Sequence, residues 1–320
     1  MQRRTAVGAL LATPWLTLPG AARAQGKPLT IVVGSTAGGS TDTLARVLGK
    51  ALGSQLGRSV IIDNKPGGNG TISDGFVARA APDGNTLLMA AMAFTVNPLV
   101  FKSLPYDPVE SFTPITMVAR LPNLLVARKD APFHTAADLI AYAKAHPGKL
   151  NFAVAGLGSS IHLATEDFKL RTGTKMLSVP YKGTSAALTD LMAGAVDLLF
   201  VGSASAMPHV QAGTIKAIGV TSKEPIAQLP QVPPLATTVP GFESSAWFGL
   251  LGPARMEPRT TEALYEAIQA SLKHPDVVDK LNTEAAIRVN YTPAQFAQFV
   301  RDEIVRLRDL VNRAQIKFES

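Results

Sequence analysis

The chain has 320 residues, of which 46% are hydrophobic, 17% charged and 6% aromatic, and it contains no cysteine. This composition supplies a large apolar core for about two domains and excludes an intrinsically disordered chain. The formal net charge is +7, yet there is no run of Lys or Arg and aromatic residues are few, so a nucleic-acid-binding surface is not expected. Without cysteine, disulfides and thiol chemistry are excluded.

The N-terminus has the pattern of an export signal. Arg3 and Arg4 precede an apolar stretch from Ala6 to Leu18, and a small-x-small sequence ends at Ala24. This pattern predicts a secretory signal peptide over residues 1–24, cleaved after about Ala24, and a periplasmic mature protein. Its removal leaves 28 basic and 24 acidic residues, a balance that is ordinary for a soluble domain. The adjacent arginines leave general secretion and twin-arginine export both open.

The mature chain begins with a strand, a glycine-rich turn and a helix. The β-branched run before the turn predicts a buried strand, and the apolar spacing over 44–52 predicts a helix. Ser40 or Thr41 is expected to cap this helix, with Asp42 pairing with Arg46 one turn later. The turn is then expected to present free backbone N–H groups to an anion such as a carboxylate, although any strand-to-helix turn supplies the same groups.

The rest of the chain repeats the alternation of strand, polar or glycine-rich loop, and helix. Such alternation predicts mostly parallel sheets covered by helices, with ligands beyond the carboxyl ends of the strands. The exit at 92–98 is expected to be irregular, and a proline-dense segment at 224–241 to be a surface excursion. The predicted strands are 60–63, 86–91, 150–155, 175–179, 195–201 and 247–251, and the predicted helices are 72–81, 136–145, 161–171, 186–193, 263–272 and 294–314.

Two stretches suggest a division into two lobes. Residues 112–128 are apolar and extended with an interruption at Pro122, and the order of strand, proline and helix start occurs at 124–139 and again at 250–264. This repeated order of elements is what we expect if two extended segments cross between two lobes. We therefore expect lobe 1 to comprise residues 25–122 plus 246–320, and lobe 2 to comprise residues 123–245.

Motifs for catalysis are weak. The sequence has no Gly-x-Ser-x-Gly elbow, Walker loop or dinucleotide fingerprint. His162 and Glu166 could share a helix face, but zinc requires at least three placed ligands, so we expect neither a metal nor a cofactor. A secreted serine hydrolase using Ser159 or Ser160 with His162 remains the alternative to a protein that is not an enzyme.

Hydrogen-bond donors recur where strands end and helices begin, in both predicted lobes. Those of lobe 1 include Gly38, Gly39 and Thr95, and those of lobe 2 include Ser159, Ser160, Thr184 and Ser203. Each residue alone is a common cap or turn residue. Placed across a cleft, they would together suit the capture of a small anion, with closure of the lobes burying it.

Five ordered motifs also carry a family resemblance. They are Ala-Gly-Gly-Ser-Thr-Asp-x-x-Ala-Arg at 37–46, Asp-Asn-Lys-Pro-Gly-Gly-Asn-Gly at 63–70, Ala-Pro-Asp-Gly-Asn-Thr-Leu-Leu at 81–88, Gly-Ser-Ser-Ile-His-Leu-Ala-Thr-Glu at 158–166 and Pro-Tyr-Lys-Gly-Thr at 180–184. With them the mature chain resembles the Bug-type extracytoplasmic solute receptors, the binding proteins of tripartite tricarboxylate transporters. The resemblance implies an α/β fold of the two-lobed periplasmic binding protein type, type II-like and closing like a Venus flytrap.

The resemblance also implies a site, a ligand and partners. The ligand would be a small organic acid, and the partners the membrane permease subunits of the transporter, or a sensor kinase if the receptor only signals; we expect a monomer. One departure is Gly34-Ser35-Thr36, where the family often has a Pro-Phe pair, which predicts a smaller and more polar pocket floor. The predicted ligand-binding residues are Ala37, Gly38, Gly39, Thr41, Ala93, Phe94, Thr95, Ser159, Ser160, His162, Lys182, Gly183 and Ser203.

Overall fold

The computed structural model describes residues 27–156 and 158–318, and the predicted signal peptide lies outside them. Strands and helices alternate along this part of the chain, as the sequence predicts. The strands are β1 (Leu29–Val33), β2 (Val60–Asn64), β3 (Thr86–Ala91), β4 (Phe112–Arg128), β5 (Asn151–Ala155), β6 (Leu177–Tyr181), β7 (Leu198–Gly202), β8 (Ile215–Val220), β9 (Ser245–Pro253) and β10 (Ile287–Arg288). The helices are α1 (Ser40–Leu56), α2 (Thr71–Ala78), α3 (Ala93–Val100), α4 (Ala136–Ala145), α5 (Ser160–Thr172), α6 (Thr184–Met192), α7 (Ser203–Gln211), α8 (Pro258–Ser271), α9 (Pro275–Thr283) and α10 (Pro293–Arg313).

The sheet has two parallel parts joined by long antiparallel strands. In lobe 1, β1 pairs with β2 and β3 in parallel, and in lobe 2, β5 pairs with β6 and β7 in parallel. The long strands β4 and β9 are antiparallel to each other, and each is antiparallel to its other neighbours. The two-lobed α/β prediction is confirmed, with the addition that the crossing strands are antiparallel where mostly parallel sheets were expected.

Strand β4 runs without a break from one lobe to the other. It pairs with β9 as far as Pro122, opposite Ser245, and from Asn123 it pairs with β7, opposite Gly202. The predicted interruption at Pro122 is therefore wrong. Proline has no N–H for a sheet ladder, and here it lies at the residue where the strand changes partners, so no ladder bond is lost.

Each lobe has an apolar core on both faces of its part of the sheet. In lobe 1, helices α1, α8 and α9 cover one face, and α3 and α10 cover the other, around Trp247 and Phe296. In lobe 2, Phe152, Phe168 and Phe200 form the core of one face. Because each lobe is packed on both faces, the ends of the parallel strands remain as the places where loops can form a binding site.

Several boundaries differ from those predicted. The irregular exit predicted at 92–98 is helix α3, whose Phe94, Thr95 and Val96 are buried. Helix α7 and strand β8 were not predicted at all. Helix α1 begins after Gly39, which makes no side-chain cap, so the predicted capping by Ser40 or Thr41 is wrong.

Candidate functional site

A cavity of about 250 Å³ lies in lobe 1, where strands β1 and β3 end and helices α1, α2 and α3 begin. Three of the predicted ligand-binding residues, Thr41, Ala93 and Phe94, line it. The sequence prediction missed most of the others. The lining residues are Gly34, Ser35, Thr41, Gly67, Asn69, Gly70, Ser73, Asp74, Met89, Ala90, Ala91, Ala93 and Phe94.

Close packing of small residues shapes one wall of this cavity. A Cβ atom on Gly34 would lie 2.6 Å from Ser73 Oγ and 3.0 Å from Gly70 Cα, so the backbone after β1 touches the start of α2 directly. Another lining residue, Phe94, has a buried ring that stacks on Tyr106 at a centroid distance of 6.1 Å and fixes the start of α3. The cavity is therefore held by packing at both places.

Asp74 places a carboxyl group in the wall of the cavity. The residue is only 4% exposed, and its Oδ2 accepts a hydrogen bond from the Tyr106 hydroxyl at 2.8 Å. Burial raises the pKa of Asp74 to about 7, although the hydrogen bond from Tyr106 acts in the opposite direction. A sequence signal for this residue did exist, since Asp74 stands in the first turn of a helix that follows the Gly67–Gly70 loop.

The glycine turn at 37–39 lies beside the cavity and not in its wall. The predicted pair of Asp42 and Arg46 is present, with a shortest N–O distance of 2.9 Å. The Asp42 carboxylate also accepts the backbone N–H of Gly38 at 2.8 Å, so the prediction of a free N–H at Gly38 is wrong. The hydrogen bond from Arg46 is the main reason that the pKa of Asp42 falls to about 2.

Thr95 does not present its hydroxyl to the cavity. Its side chain is fully buried, and Oγ1 donates to the carbonyl oxygen of Met92 at 2.9 Å. This hydroxyl stabilises the first turn of α3. Ala93 and Phe94 are the residues of this turn that reach the cavity.

In lobe 2, Ser159, Ser160 and His162 form the start of helix α5. Ser159 caps the helix, since its Oγ accepts the N–H of His162 at 3.2 Å and donates to the carbonyl oxygen of Ala155 at 2.7 Å. His162 Nδ1 accepts the N–H of Gly158 at 3.0 Å, and burial lowers the pKa of the imidazole. Within the described residues no serine hydroxyl hydrogen-bonds to this imidazole, so the geometry does not favour a serine hydrolase.

The remaining predicted residues begin the other helices of lobe 2. Lys182 is exposed in the turn after β6, and Gly183 is the N-cap of α6. Ser203 opens α7 and is buried; its Oγ donates to the carbonyl oxygen of Pro122 at 2.8 Å, which ties α7 to the crossing strand. These residues follow β6 and β7 at their carboxyl ends.

The two sets of loops approach each other across the lobes. A Cβ atom on Gly158, in the loop after β5, would lie 3.4 Å from Val96 of helix α3. Leu163 of α5 packs in the core that holds α3 and α10. The loop at the start of α5 thus meets the helix whose first turn lines the lobe-1 cavity.

A larger cavity of about 540 Å³ contains none of the predicted site residues. It lies between α10 and the chain at 241–245, beside the crossing strands. Two ion pairs occupy much of its charged lining, Arg120 with Glu243 and Arg306 with Glu303. Both arginines are already paired within the chain, and the lining carries a further carboxylate at Asp302, which makes this cavity a poorer candidate for anion binding than the lobe-1 cavity.

Two further properties bear on the class of protein. Within residues 27–156 and 158–318, no three His, Asp or Glu side chains are grouped so that they could hold a metal ion. In the same residues, no helix combines the length and the hydropathy that crossing a bilayer requires.

Comparison with known proteins agrees with this architecture. Protein BugT of Bordetella pertussis is 33% identical over 317 residues, which are 98% of this chain and 97% of BugT. A solved R. palustris structure with adipate is 35% identical with a TM-score of 0.74, covering 90% of this chain and 97% of that one. MatC from Rhodopseudomonas palustris with bound malate is 32% identical with a TM-score of 0.69, covering 89% and 98%.

The family model described as "Tripartite tricarboxylate transporter family receptor" matches residues 44–316. This match begins within helix α1 and covers strands β2 to β10, which include the crossing strands, and helices α2 to α10. The chain therefore belongs to the tripartite tricarboxylate transporter receptor family.

Proposed function

We propose that this protein is a periplasmic receptor that captures a small organic acid between its two lobes and delivers it to the membrane permease of a tripartite tricarboxylate transporter. The observation that carries the proposal is the lobe-1 cavity, formed where three helices begin, one of which, α3, contacts the lobe-2 loop at Gly158. The adipate and malate complexes of two relatives support a carboxylate as the ligand.

Helix starts favour an anion at this place. The first N–H groups of a helix have no partner within it, and the helix dipole adds partial positive charge at that end. In α3 these groups belong to Ala93 and Phe94, which both line the cavity, and Thr95 N is the first to bond back to Met92 O. Ser35 Oγ, also in the lining residues, is buried without a hydrogen-bond partner in the described part of the chain.

Export to the periplasm and contact with the permease are the other parts of this function. Cleavage after about Ala24 would release the receptor into the periplasm as a monomer, without catalysis. Closure about the crossing strands would present both lobes to the permease subunits. A receptor that acts on a sensor kinase alone would use the same cavity, so ligand binding is the first property to test.

A thermal-shift screen of the mature protein against mono-, di- and tricarboxylates tests this function. An acid present at about 100 times its dissociation constant should stabilise the fold by about 2.7 kcal/mol, which is measurable for a chain of this length. The acid should be recovered chemically unchanged. If no carboxylate shifts the melting temperature, the proposed function fails.

Gly39 offers a matched pair of variants for the same screen. A Cβ atom at this position would meet nothing closer than Thr36 O at 3.5 Å, and the backbone φ of −70° suits any residue. Gly39→Asp adds a negative charge at the turn, whereas Gly39→Asn adds the same volume without charge. We expect the shift to be lost in Gly39→Asp and largely kept in Gly39→Asn; equal behaviour of the two would show that the turn does not face the anion.

A further inference from the structure

Asp74 is the single ionisable side chain among the residues that line the lobe-1 cavity. The proposed function, on which this inference rests, assigns an anion to the same cavity. Two ionised carboxylates in a space of about 250 Å³ would repel each other strongly, because the surrounding protein screens charge poorly. Protonation of one of the two groups removes this repulsion.

The hydrogen bonds around Asp74 suit a neutral carboxylic acid. Ser73 Oγ lies 2.7 Å from the carbonyl oxygen of Gly70 and 3.2 Å from Asp74 Oδ1. A serine hydroxyl has one hydrogen, and the shorter contact to a carbonyl takes it. A protonated Oδ1 of Asp74 can then donate a hydrogen bond to Ser73 Oγ, while Oδ2 accepts one from the Tyr106 hydroxyl.

Among the residues that the structure describes, no cationic side chain hydrogen-bonds to Asp74. The side chains that do so are Tyr106, Ser73 and Asn97, which are all neutral at pH 7, and burial raises the pKa of Tyr106 above its ordinary value. Lys65 is paired with Asp63 and lies over the Phe76 ring.

The neighbouring elements carry two amides, one guanidinium and, in lobe 2, an imidazole and an ammonium group. Asn97 of α3 and Asn69 before α2 carry amides that bond to each other, and the guanidinium of Arg79, the C-cap of α2, lies beside Gly75 and is not among the hydrogen-bond partners of Asp74. In lobe 2, burial lowers the pKa of His162, so this imidazole is neutral at and above pH 7. Lys182 is exposed.

We propose that Asp74 is a neutral carboxylic acid in the loaded receptor, so that a receptor whose Asp74 is ionised takes up one proton from the solvent when it captures an organic carboxylate. Burial already raises the pKa of this group to about 7 in the empty cavity. A carboxylate ligand nearby raises it further. Asp74 would thus couple the binding of a carboxylate to the uptake of a proton.

The consequence is a specific dependence of affinity on pH. Below about pH 7 the empty receptor already carries the proton, and the affinity for a fully ionised acid is constant. Above about pH 7 the apparent Kd should rise about tenfold for each pH unit, because a growing fraction of receptors must first be protonated.

Isothermal titration with adipate and with malate measures this effect. Both acids stay largely ionised between about pH 6.5 and pH 8.5, so their own titration contributes little. We expect Kd to rise more than tenfold over this interval, and titrations in two buffers of different ionisation enthalpy to show uptake of about one proton per acid at the upper pH.

Asp74→Asn is the informative variant. An asparagine at this position can accept from Tyr106 with its carbonyl and donate to Ser73 with its amide, as the protonated acid does, but it cannot titrate. The ratio of its Kd values at the two pH values should be close to one. Tyr106→Phe gives an independent check, since removal of a donor to Oδ2 should move the midpoint of the pH dependence upward.

The outcomes separate this inference from the proposed function. A pH-independent Kd in the native protein, or one that falls as pH rises, would overturn the neutral acid while leaving the receptor in place. Carbon-13 NMR of the aspartate carboxyls, with Asp74→Asn for assignment, should show a midpoint near pH 7 in the empty protein; a midpoint below about 5 would also overturn it. Failure of every carboxylate to bind at pH 6.5 would overturn both.

Discussion

The carboxylate of Asp42 accepts the backbone N–H of Gly38 at 2.8 Å, in the turn where the sequence predicts free N–H groups. The same carboxylate accepts hydrogen bonds from Arg46 at 3.0 Å and from Asn64 at 2.9 Å. Asp42 is therefore a buried anion that the chain itself supplies to the glycine turn. It holds the turn in one conformation next to the cavity, whereas Ala93 and Phe94 at the start of α3 line the cavity itself.

Replacing Asp42 with Asn should destabilise the fold and change its response to acid. We expect a loss of about 1–3 kcal/mol in the free energy of unfolding at pH 7, because Arg46 and the Gly38 N–H lose a charged acceptor; the half exposure of Arg46 keeps the value in this range. The pKa of Asp42 is lowered to about 2, so its contribution is present above about pH 4 and is lost as pH falls toward 2.

Urea unfolding at several pH values measures this effect. Asp309→Asn is the matched control, because Asp309 pairs with Arg313 at the same i,i+4 spacing but both side chains are exposed. The control should cost less than about 0.5 kcal/mol. Equal losses in the two variants would show that the Asp42 network does not stabilise the turn.

Gly34 and Ser73 should be coupled energetically. Gly34→Ala places a methyl group 2.6 Å from Ser73 Oγ and should destabilise the fold by about 1–3 kcal/mol through overpacking. Ser73→Ala removes that oxygen, so the double variant should recover part of the loss, although Gly70 Cα remains 3.0 Å from the new methyl group. A double-mutant cycle of unfolding free energies tests the coupling, and strict additivity would contradict direct contact between these residues.

At Gly249, helix α10 packs tightly against the crossing strand β9. A Cβ atom there would lie 2.2 Å from the ring of Phe296, which is fully buried. Gly249→Ala should therefore cost about 2 kcal/mol or more by displacing α10. Gly202→Ala, which has no atom within 4 Å of the new Cβ, should change stability by less than about 1 kcal/mol in thermal unfolding. A tolerated Gly249→Ala would show that α10 shifts at little cost.

Local sequence signals were sufficient for much of the fold. Strand β3 and helix α4 have the predicted ends, because β3 is a buried apolar run before Met92 and α4 begins with a capping box formed by Thr135 and Asp138. The alternation of strands and helices, together with the repeated order of strand, proline and helix start at 124–139 and 250–264, predicted the two-lobed α/β fold. These features depend on residues that are close together in the sequence, so they can be identified from one sequence alone.

The details of the site depend on neighbours in space. Helix α3 was missed because Pro98 suggests a loop, whereas in the fold it lies in the last turn of a helix whose Phe94 and Val96 are buried. The Gly38 N–H was expected to be free because nothing in the sequence shows that Asp42 turns back toward it. Asp74 was missed because its unusual environment comes from Tyr106, thirty-two residues away.

His162 should make the fold sensitive to mild acid. Burial lowers the pKa of this imidazole below its ordinary value of 6.5, so the folded protein binds fewer protons here than the unfolded chain does. The stability that the neutral His162 contributes is therefore fully present above about pH 6.5, the pKa in the unfolded chain, and it decreases as pH falls below that value. Protonation of Nδ1 would also end its acceptance of the Gly158 N–H, which holds the loop before α5.

His162→Asn tests this sensitivity, because the asparagine oxygen can replace Nδ1 as an acceptor and does not titrate. The stability of the native protein relative to this variant should fall between pH 6.5 and pH 5, measured by urea unfolding. His134→Asn makes the same substitution at an exposed position and serves as the control. Asp74 acts in the opposite direction, since its neutral form is favoured in acid, so only the difference between native protein and variant isolates His162. A difference that stays constant with pH would contradict a buried, neutral imidazole at the start of α5.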